Sequence, residues 1–265
     1  MLRRALPRFW FAGLAAEAEY RLNFIGAAVF SLINLLGSLF ALSVLFQNGH
    51  ELGGWSWPGA LTVLSVYTIL DGLQRTFLSR GREKLTQLVR DGTLDFALIQ
   101  PVDSHAQLSL REVSIWGVPD VVYGGVLLVV ALAAHDPPPG PAALLAGGVA
   151  IAAGFVALYA LGFVLATTTI WFTKVNNVTI AMQALLEAAR YPITAFPPAM
   201  RAIFTFVIPA ALMTTVPAEI LTRLDPGTAR PWILLGLAVA VAIGLVGVSR
   251  GFWRFALRFY TSASS

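Results

Sequence analysis

An all-α polytopic membrane protein with six transmembrane helices is what this sequence predicts, on three observations. The chain of 265 residues is 57% hydrophobic and only 12% charged, whereas a soluble domain is about a quarter charged. Apolar runs long enough to cross the roughly 30 Å hydrocarbon layer recur along it. The connections alternate in charge: residues 1–21, 79–111 and 250–258 are rich in arginine, while 47–57 and 134–140 hold no Lys or Arg. Basic connections stay on the cytoplasmic side, so the pattern orients the chain as well as dividing it. The net charge of +4 comes from residues that border apolar runs and form no dense basic block. Anionic lipid headgroups suit them as partners better than nucleic acid does. Cysteine is absent, which excludes disulfides and thiolate metal sites.

The elements follow in order. Arg3, Arg4 and Arg8, with Phe9, Trp10 and Phe11 interleaved, predict a short amphipathic helix along the inner interface, on a retained cytoplasmic N-terminus and not a removed signal peptide. Residues 22–46 are the first expected span. Residues 57–78 are the second, with Trp55 and Trp57 at the uncharged end, where aromatic rings prefer the interface. The third and fourth, 113–134 and 141–170, are divided by His135, Asp136 and three consecutive prolines, which cannot continue a helix. The fifth is expected at 176–196 and the sixth at 231–249, closed by Arg250, Arg254 and Arg258. Residues 199–220 are apolar enough to cross too, but Pro209 and Pro217 divide them. A seventh span would place the N- and C-terminal arginine clusters on opposite sides. The stretch is therefore expected to be a re-entrant pair of short helices on the outer side, its interrupted backbone buried in protein. That leaves Arg201, Arg223 and Arg230 outside, as the main cost of the topology.

Between the second and third spans, Leu85, Leu88 and Val89 fall at helical spacing while Arg82, Glu83, Lys84 and Gln87 face elsewhere. A short amphipathic helix is expected to run to about Arg90 and to end at Asp91 and Gly92. A second apolar element follows from Leu94 to Ile99 and closes at Pro101. From periodicity alone this segment is either an interfacial anchor or a lever that docks into another protein. Asp95 is expected to accept bonds from loop amides or to pair with Arg90.

Polar groups inside spans are costly unless partnered. Asp71 and Arg75, four positions apart, are expected to form an ion pair, and so are Glu187 and Arg190, three apart. Thr167, Thr168 and Thr169 are expected to bond their own helix carbonyls, while Asn23 and Asn34 bridge helices or line a path. Lys174, Asn176 and Asn177 fall at an inner turn, and Gly147 and Gly148 read as helix-packing positions. His50, His105 and His135 are isolated in sequence, so no metal site is expected.

Three stretches carry a resemblance. They are Arg90, Asp91, Gly92, Thr93, Leu94, Asp95 with Pro101; then Tyr191, Pro192 through Pro197, Pro198, leading into Phe206, Pro209 and Pro217; and last Gly251, Phe252, Trp253 followed by Arg258, Phe259, Tyr260. In that order the chain resembles a permease subunit of the ABC-2 exporter type, in the six-span branch that usually pairs with a second permease and a separate ATPase. The resemblance implies one transmembrane domain over 1–265 in a prokaryotic plasma (inner) membrane, with both termini cytoplasmic. It implies no catalytic residues and no cofactor bound directly; ATP and Mg would bind to a partner ATPase dimer. The chain contains no G-x-x-x-x-G-K-[ST] phosphate loop.

By the same resemblance, 79–101 is the coupling segment, and Arg82, Glu83, Lys84, Leu88, Arg90, Asp91, Gly92 and Asp95 are its ATPase-coupling residues. Phe206, Pro209 and Pro217 belong to an outer gate, and Asp71, Arg75, Glu187 and Arg190 are pathway or intramembrane pair candidates. The implied partners are the ATPase dimer, a second ABC-2 permease that is a different protein or a copy, and membrane lipids. The alternative is a stand-alone secondary transporter of a hydrophobic or amphipathic solute. Such a protein usually carries matched broken helices in two repeated halves, whereas only 199–220 is broken here. An intramembrane enzyme ranks lower still, since no H-E-x-x-H or comparable nucleophile and base arrangement appears.

Overall fold

The computed structural model describes residues 21–47, 51–99, 103–110, 113–172, 187–207, 209–225 and 227–260. The expected N-terminal helix, His50, Pro101, Lys174, Asn176, Asn177 and most of the expected fifth span lie outside these residues. All regular structure among the described residues is helical. In chain order the helices are α1 (Arg21–Phe46), α2 (Trp57–Phe77), α3 (Ser79–Arg90), α4 (Asp95–Leu98), α5 (Ser104–Leu110), α6 (Val118–Ala133), α7 (Pro141–Thr167), α8 (Pro198–Ala202), α9 (Val216–Arg223) and α10 (Arg230–Ala256). Leu22–Phe46, Pro141–Ile170 and Arg230–Ala256 are long and apolar enough to cross a membrane. The chain is a polytopic helical membrane protein.

Helix starts follow proline: Pro58, Pro119, Pro141 and Pro231 each occupy a first-turn position, where a missing N–H costs nothing. That rule also shortens the expected third span. Pro119 sets the start of α6 at Val118, and the chain before it runs beside α2, with Ser114 N donating to Thr76 O at 2.8 Å. Small residues then let α2 and α6 touch. A Cβ on Gly72 would meet Gly117 O at 2.7 Å, and one on Gly124 would meet Ile69 N at 2.8 Å. The main core joins α2, α7, α9 and α10 through Leu70, Ala150, Met213, Ile220, Leu221 and Ala242. Of the expected packing glycines, Gly147 lies under Leu221, but Gly148 faces open space.

The expected helix over 176–196 does not reach its end. Ala188–Arg190 form a 3-10 turn, and Tyr191 is extended, with φ −109° and ψ 151°. Pro192 stands next, and the residue before a proline is pushed out of the helical region.

The 199–220 stretch is broken at Pro209, as expected, while Pro217 lies in the first turn of α9 and divides nothing. The backbone widens into π-type turns over Ile203–Val207 and Ala211–Thr215, and the second absorbs the N–H that Pro217 lacks. Protein covers the break: Phe204 is 1% exposed, Ala210 0% and Met213 1%. Thr214 Oγ1 donates to Ala189 O at 2.9 Å, and Ile193 N donates to Thr215 Oγ1 at 3.4 Å.

Both ends of this stretch return to the connection around Trp55. Trp55 Nε1 donates to Thr194 Oγ1 at 3.0 Å, and the Arg223 guanidinium lies 4.6 Å above the Trp55 ring while donating to Gly54 O. The three arginines counted against the topology all find partners there. Arg201 donates to Thr194 O at 2.6 Å, and Arg230 pairs with Glu219 at 2.9 Å. At the opposite end, Trp253 of α10 and Phe163 and Ala166 of α7 pack against Leu85, Leu94 and Leu108 of the connection that follows α2. The arginine-free and arginine-rich connections thus occupy opposite ends of the bundle.

Candidate functional site

One face of α2 turns polar as it approaches the arginine-rich end. Tyr67, Asp71 and the pair Gln74 and Arg75 follow at steps of three or four positions, so they share one stripe, which Ser79 at the start of α3 continues. They line a cavity of about 250 Å³. Leu158 of α7, Glu187, Ala189, Met213 and Thr214 close it on other sides, and Arg82 of α3 closes it at the end. Met213 and Thr214 belong to the broken stretch, so the interrupted backbone, a polar helix face and α3 meet around one space.

Arg75 organises the charges. Its guanidinium lies 2.8 Å from Asp71, as expected, and 3.5 Å from Asp120 in the first turn of α6. Asp120 accepts in turn from Ser31 Oγ of α1. One arginine therefore ties three helices, and Asp120, which no local spacing singled out, is its second anchor.

The expected Glu187–Arg190 pair does not form. Arg190 turns toward α1 and α2 instead, donating to Ser38 Oγ at 2.9 Å and Asn34 Oδ1 at 3.4 Å. Its guanidinium also lies 5.1 Å from the centre of the Tyr67 ring. Several neutral oxygens and a ring face satisfy a planar donor fork better than one flexible, exposed carboxylate. The three threonines bond their own helix as expected, Thr167 to Phe163 O at 2.8 Å, Thr168 to Leu165 O at 2.6 Å and Thr169 to Ala166 O at 2.6 Å.

Helix α3 is seated by a close approach: a Cβ on Gly81 would meet Ser109 O at 2.6 Å and Leu108 O at 2.8 Å. Leu85 is fully buried, with Leu88 and Val89 packed beside it. Glu83, Lys84, Gln87, Arg90 and Asp91 are exposed. Arg82 leaves that exposed group. It turns inward against Gly162 of α7, where a Cβ would meet its Nη1 at 2.5 Å. Burial lowers its hold on its proton, partly offset by Glu83 and Asp71. The helix ends as the sequence indicated. Gly92 has φ +65°, Thr93 N donates to Leu88 O at 3.0 Å, and Gly92 N donates to Val89 O at 3.3 Å, a Schellman cap. Asp95 opens α4 near Tyr260. Of the expected gate residues, Phe206 lies in the first widened turn, while Pro209 and Pro217 are buried.

A second polar cluster escaped the sequence because its members come from three elements far apart along the chain. His105 of α5 lies 3.0 Å from both Ser249 of α10 and the Tyr159 hydroxyl of α7, which is 2.9 Å from Ser109 Oγ. Beside it, Trp253 Nε1 donates to Ser104 Oγ at 3.1 Å. Burial pulls the His105 imidazole down to about 4, with Asp103 raising it and Arg250 lowering it.

Compared with known proteins, residues 32–264 match the sequence model of a family described as ABC-2 family transporter protein. No curated protein and no solved structure matches the chain.

Proposed function

The chain belongs to the ABC-2 family of transporter proteins, and from that premise we propose that it is half of an ATP-driven exporter's translocation pathway. It is an integral membrane permease. A partner ATPase dimer binds ATP and Mg, closes, and presses on α3; a second permease, a different protein or a copy, completes the pathway. Six spans, with both termini at the arginine-rich, cytoplasmic end of a prokaryotic plasma membrane, fit the opposed placement of the two kinds of connection.

The observation that carries this reading is the two-sidedness of α3. Glu83, Lys84 and Arg90 face outward for docking, Leu85 clamps the helix to the bundle, and Arg82 enters the intramembrane cavity. A push on one side is felt on the other, because Gly81 leaves no slack against α5. The chain itself hydrolyses nothing; it transmits.

The test is native extraction followed by an ATPase assay. Wild-type protein should bring down an ATPase with basal ATP hydrolysis, and Glu83→Lys or Arg90→Glu should lower both recovery and turnover. Extraction that recruits no ATPase under any mild condition sinks the reading.

A further inference from the structure

Two charges at the cavity remain without a bond after the others are accounted for. Arg75 takes Asp71 and Asp120, and Arg190 takes Ser38, Asn34 and Tyr67. Among the described residues no hydrogen bond or ion pair reaches the Arg82 guanidinium or the Glu187 carboxylate. Both line the cavity, and they have opposite signs. Arg82 belongs to α3, whereas Glu187 opens the 3-10 turn Ala188–Arg190. The two unbonded groups thus sit at different places along the wall.

The balance of charge constrains what can enter. Among the described residues that line or adjoin the cavity, Asp71, Asp120 and Glu187 are matched by Arg75, Arg82 and Arg190, so their charges sum to zero. A ligand of net charge would leave an uncompensated ion in a low-dielectric interior, which is expensive. A ligand carrying one anionic and one cationic group satisfies both leftover residues and keeps the balance. Its anion needs planar, charge-assisted donors, which a guanidinium supplies to phosphate.

Size and position narrow the class further. About 250 Å³ lies below the roughly 300–1,000 Å³ of pockets that enclose a whole drug-sized molecule, so a headgroup fits and long chains stay outside. Leu70, Leu158 and Met213 supply apolar wall for the first methylenes. At about 1.5 Å of rise per residue, Tyr67 lies roughly 15 Å from the Trp57 end of α2. The cavity therefore occupies the half of the bundle nearer the arginine-rich connections.

We propose that this cavity binds the headgroup of a zwitterionic amphiphile, with its phosphate on Arg82 and its ammonium on Glu187. The proposal deepens the permease reading by naming a substrate class for its pathway, and it rests on that reading for its physiological meaning. The same chemistry is offered by a bilayer phospholipid and by a free glycerophosphoethanolamine, whose phosphodiester also carries one negative charge. Arg82 therefore joins the coupling helix to the ligand, so that movement of α3 changes ligand affinity.

The test is native mass spectrometry of the delipidated full chain in detergent. It is titrated with phosphatidylethanolamine and with phosphatidylglycerol of identical acyl chains, then with soluble glycerophosphoethanolamine, a neutral phosphodiester zwitterion, as competitor. One equivalent of phosphatidylethanolamine should bind at least ten-fold tighter than phosphatidylglycerol. Arg82→Gln should weaken it by about ten- to hundred-fold, the scale of a charge-assisted bond. Glu187→Gln, at an exposed position, should remove the preference between the two lipids. Displacement by glycerophosphoethanolamine assigns the site to the headgroup alone; its failure assigns it to the bilayer lipid, and both outcomes support the site. Phosphatidylglycerol binding as tightly as phosphatidylethanolamine overturns the proposal, as does unchanged lipid preference in Glu187→Gln. The wild-type comparison decides even if Arg82→Gln fails to fold. No ATPase is present in this titration, so its failure and a failure of ATPase recruitment are separate results.

Discussion

Replacing Arg75 by glutamine tests whether one guanidinium is what holds α1, α2 and α6 together at this depth. The arginine lies 2.8 Å from Asp71 and 3.5 Å from Asp120, and Asp120 is 6% exposed. Removing it strands two carboxylates; Asp120 is buried but the Arg75 and Asp71 side chains are 44% and 23% exposed, which sets the loss near the lower end of the about 3–5 kcal/mol for stranding one partner of a buried pair. Asp71→Asn, by contrast, leaves Arg75 with Asp120 and should cost only about 1 kcal/mol. For a chain of this size a loss of 1 kcal/mol lowers Tm by roughly 2–4 °C. Arg75→Gln should therefore drop Tm by about 10 °C, and Asp71→Asn by a few degrees. The double variant Arg75→Gln, Asp120→Asn should recover part of the loss, because it deletes one of the stranded charges. The assay is thermal unfolding in detergent, followed as loss of the monodisperse peak on size-exclusion chromatography. An Arg75→Gln protein within about 2 °C of wild type, or a double variant worse than the single one, would refute the argument that the carboxylates depend on Arg75.

Three further outcomes follow from particular contacts. Gly81→Val drives side-chain carbons into the Ser109 and Leu108 carbonyls. It should cost about 1–3 kcal/mol and should speed tryptic cleavage within Ser79–Arg90 while α7 and α10 stay intact. Gly92→Ala places a Cβ at φ +65° and should lose about 1–2 kcal/mol, with Gly92→Asn losing less because asparagine tolerates that conformation; thermal unfolding of both variants ranks them. The buried His105 imidazole, held at about 4 by burial, binds its proton more weakly folded than unfolded, where about 6.5 applies. Its contribution is present above pH 6.5 and is lost as pH falls toward 4. The loss is about 2 kcal/mol after allowance for solvent screening, and it should vanish in His105→Gln when Tm is followed between pH 7 and pH 4.

What could be read from the sequence was what depends on neighbours along one helix. Asp71 and Arg75 share a face four residues apart, and the Leu85, Leu88, Val89 stripe with Gly92 behind it fixes both the buried side of α3 and its end. The charge of the connections was legible too, because it reports where each loop meets solvent and not which helix it touches. Asp120, Arg82 and His105 were not legible for the opposite reason. Asp120 acts through Arg75 of another helix, and Arg82 reaches inward only because Gly162 on α7 leaves room for it. His105 depends on Tyr159 and Ser249. The failed Glu187–Arg190 pair shows the limit most directly: spacing allowed it, yet the tertiary fold offered Arg190 the hydroxyl of Ser38, the amide of Asn34 and the ring of Tyr67.

The broken stretch lies between these cases. Pro209 signalled the interruption, but Pro217 signalled one that does not occur, because the widened turn before it removes the conflict. A proline is a local statement about one N–H, and whether it breaks a helix depends on what the preceding turn can absorb. That turn is also where Met213 and Thr214 face the cavity while Thr214 holds Ala189. A backbone already widened there can shift by rearranging few hydrogen bonds, whereas the close glycine contacts of α2 with α6 allow no such give. Movement imposed at α3 should therefore be taken up at Met213 and Thr214 before it reaches the α2–α6 pair. A disulfide engineered across α2 and α6 should leave ligand binding at the cavity intact, and one fixing Thr214 to Ala189 should abolish its response to α3. Equal effects of the two crosslinks on lipid affinity, measured by titration with the partner ATPase bound and without it, would count against a compliant turn.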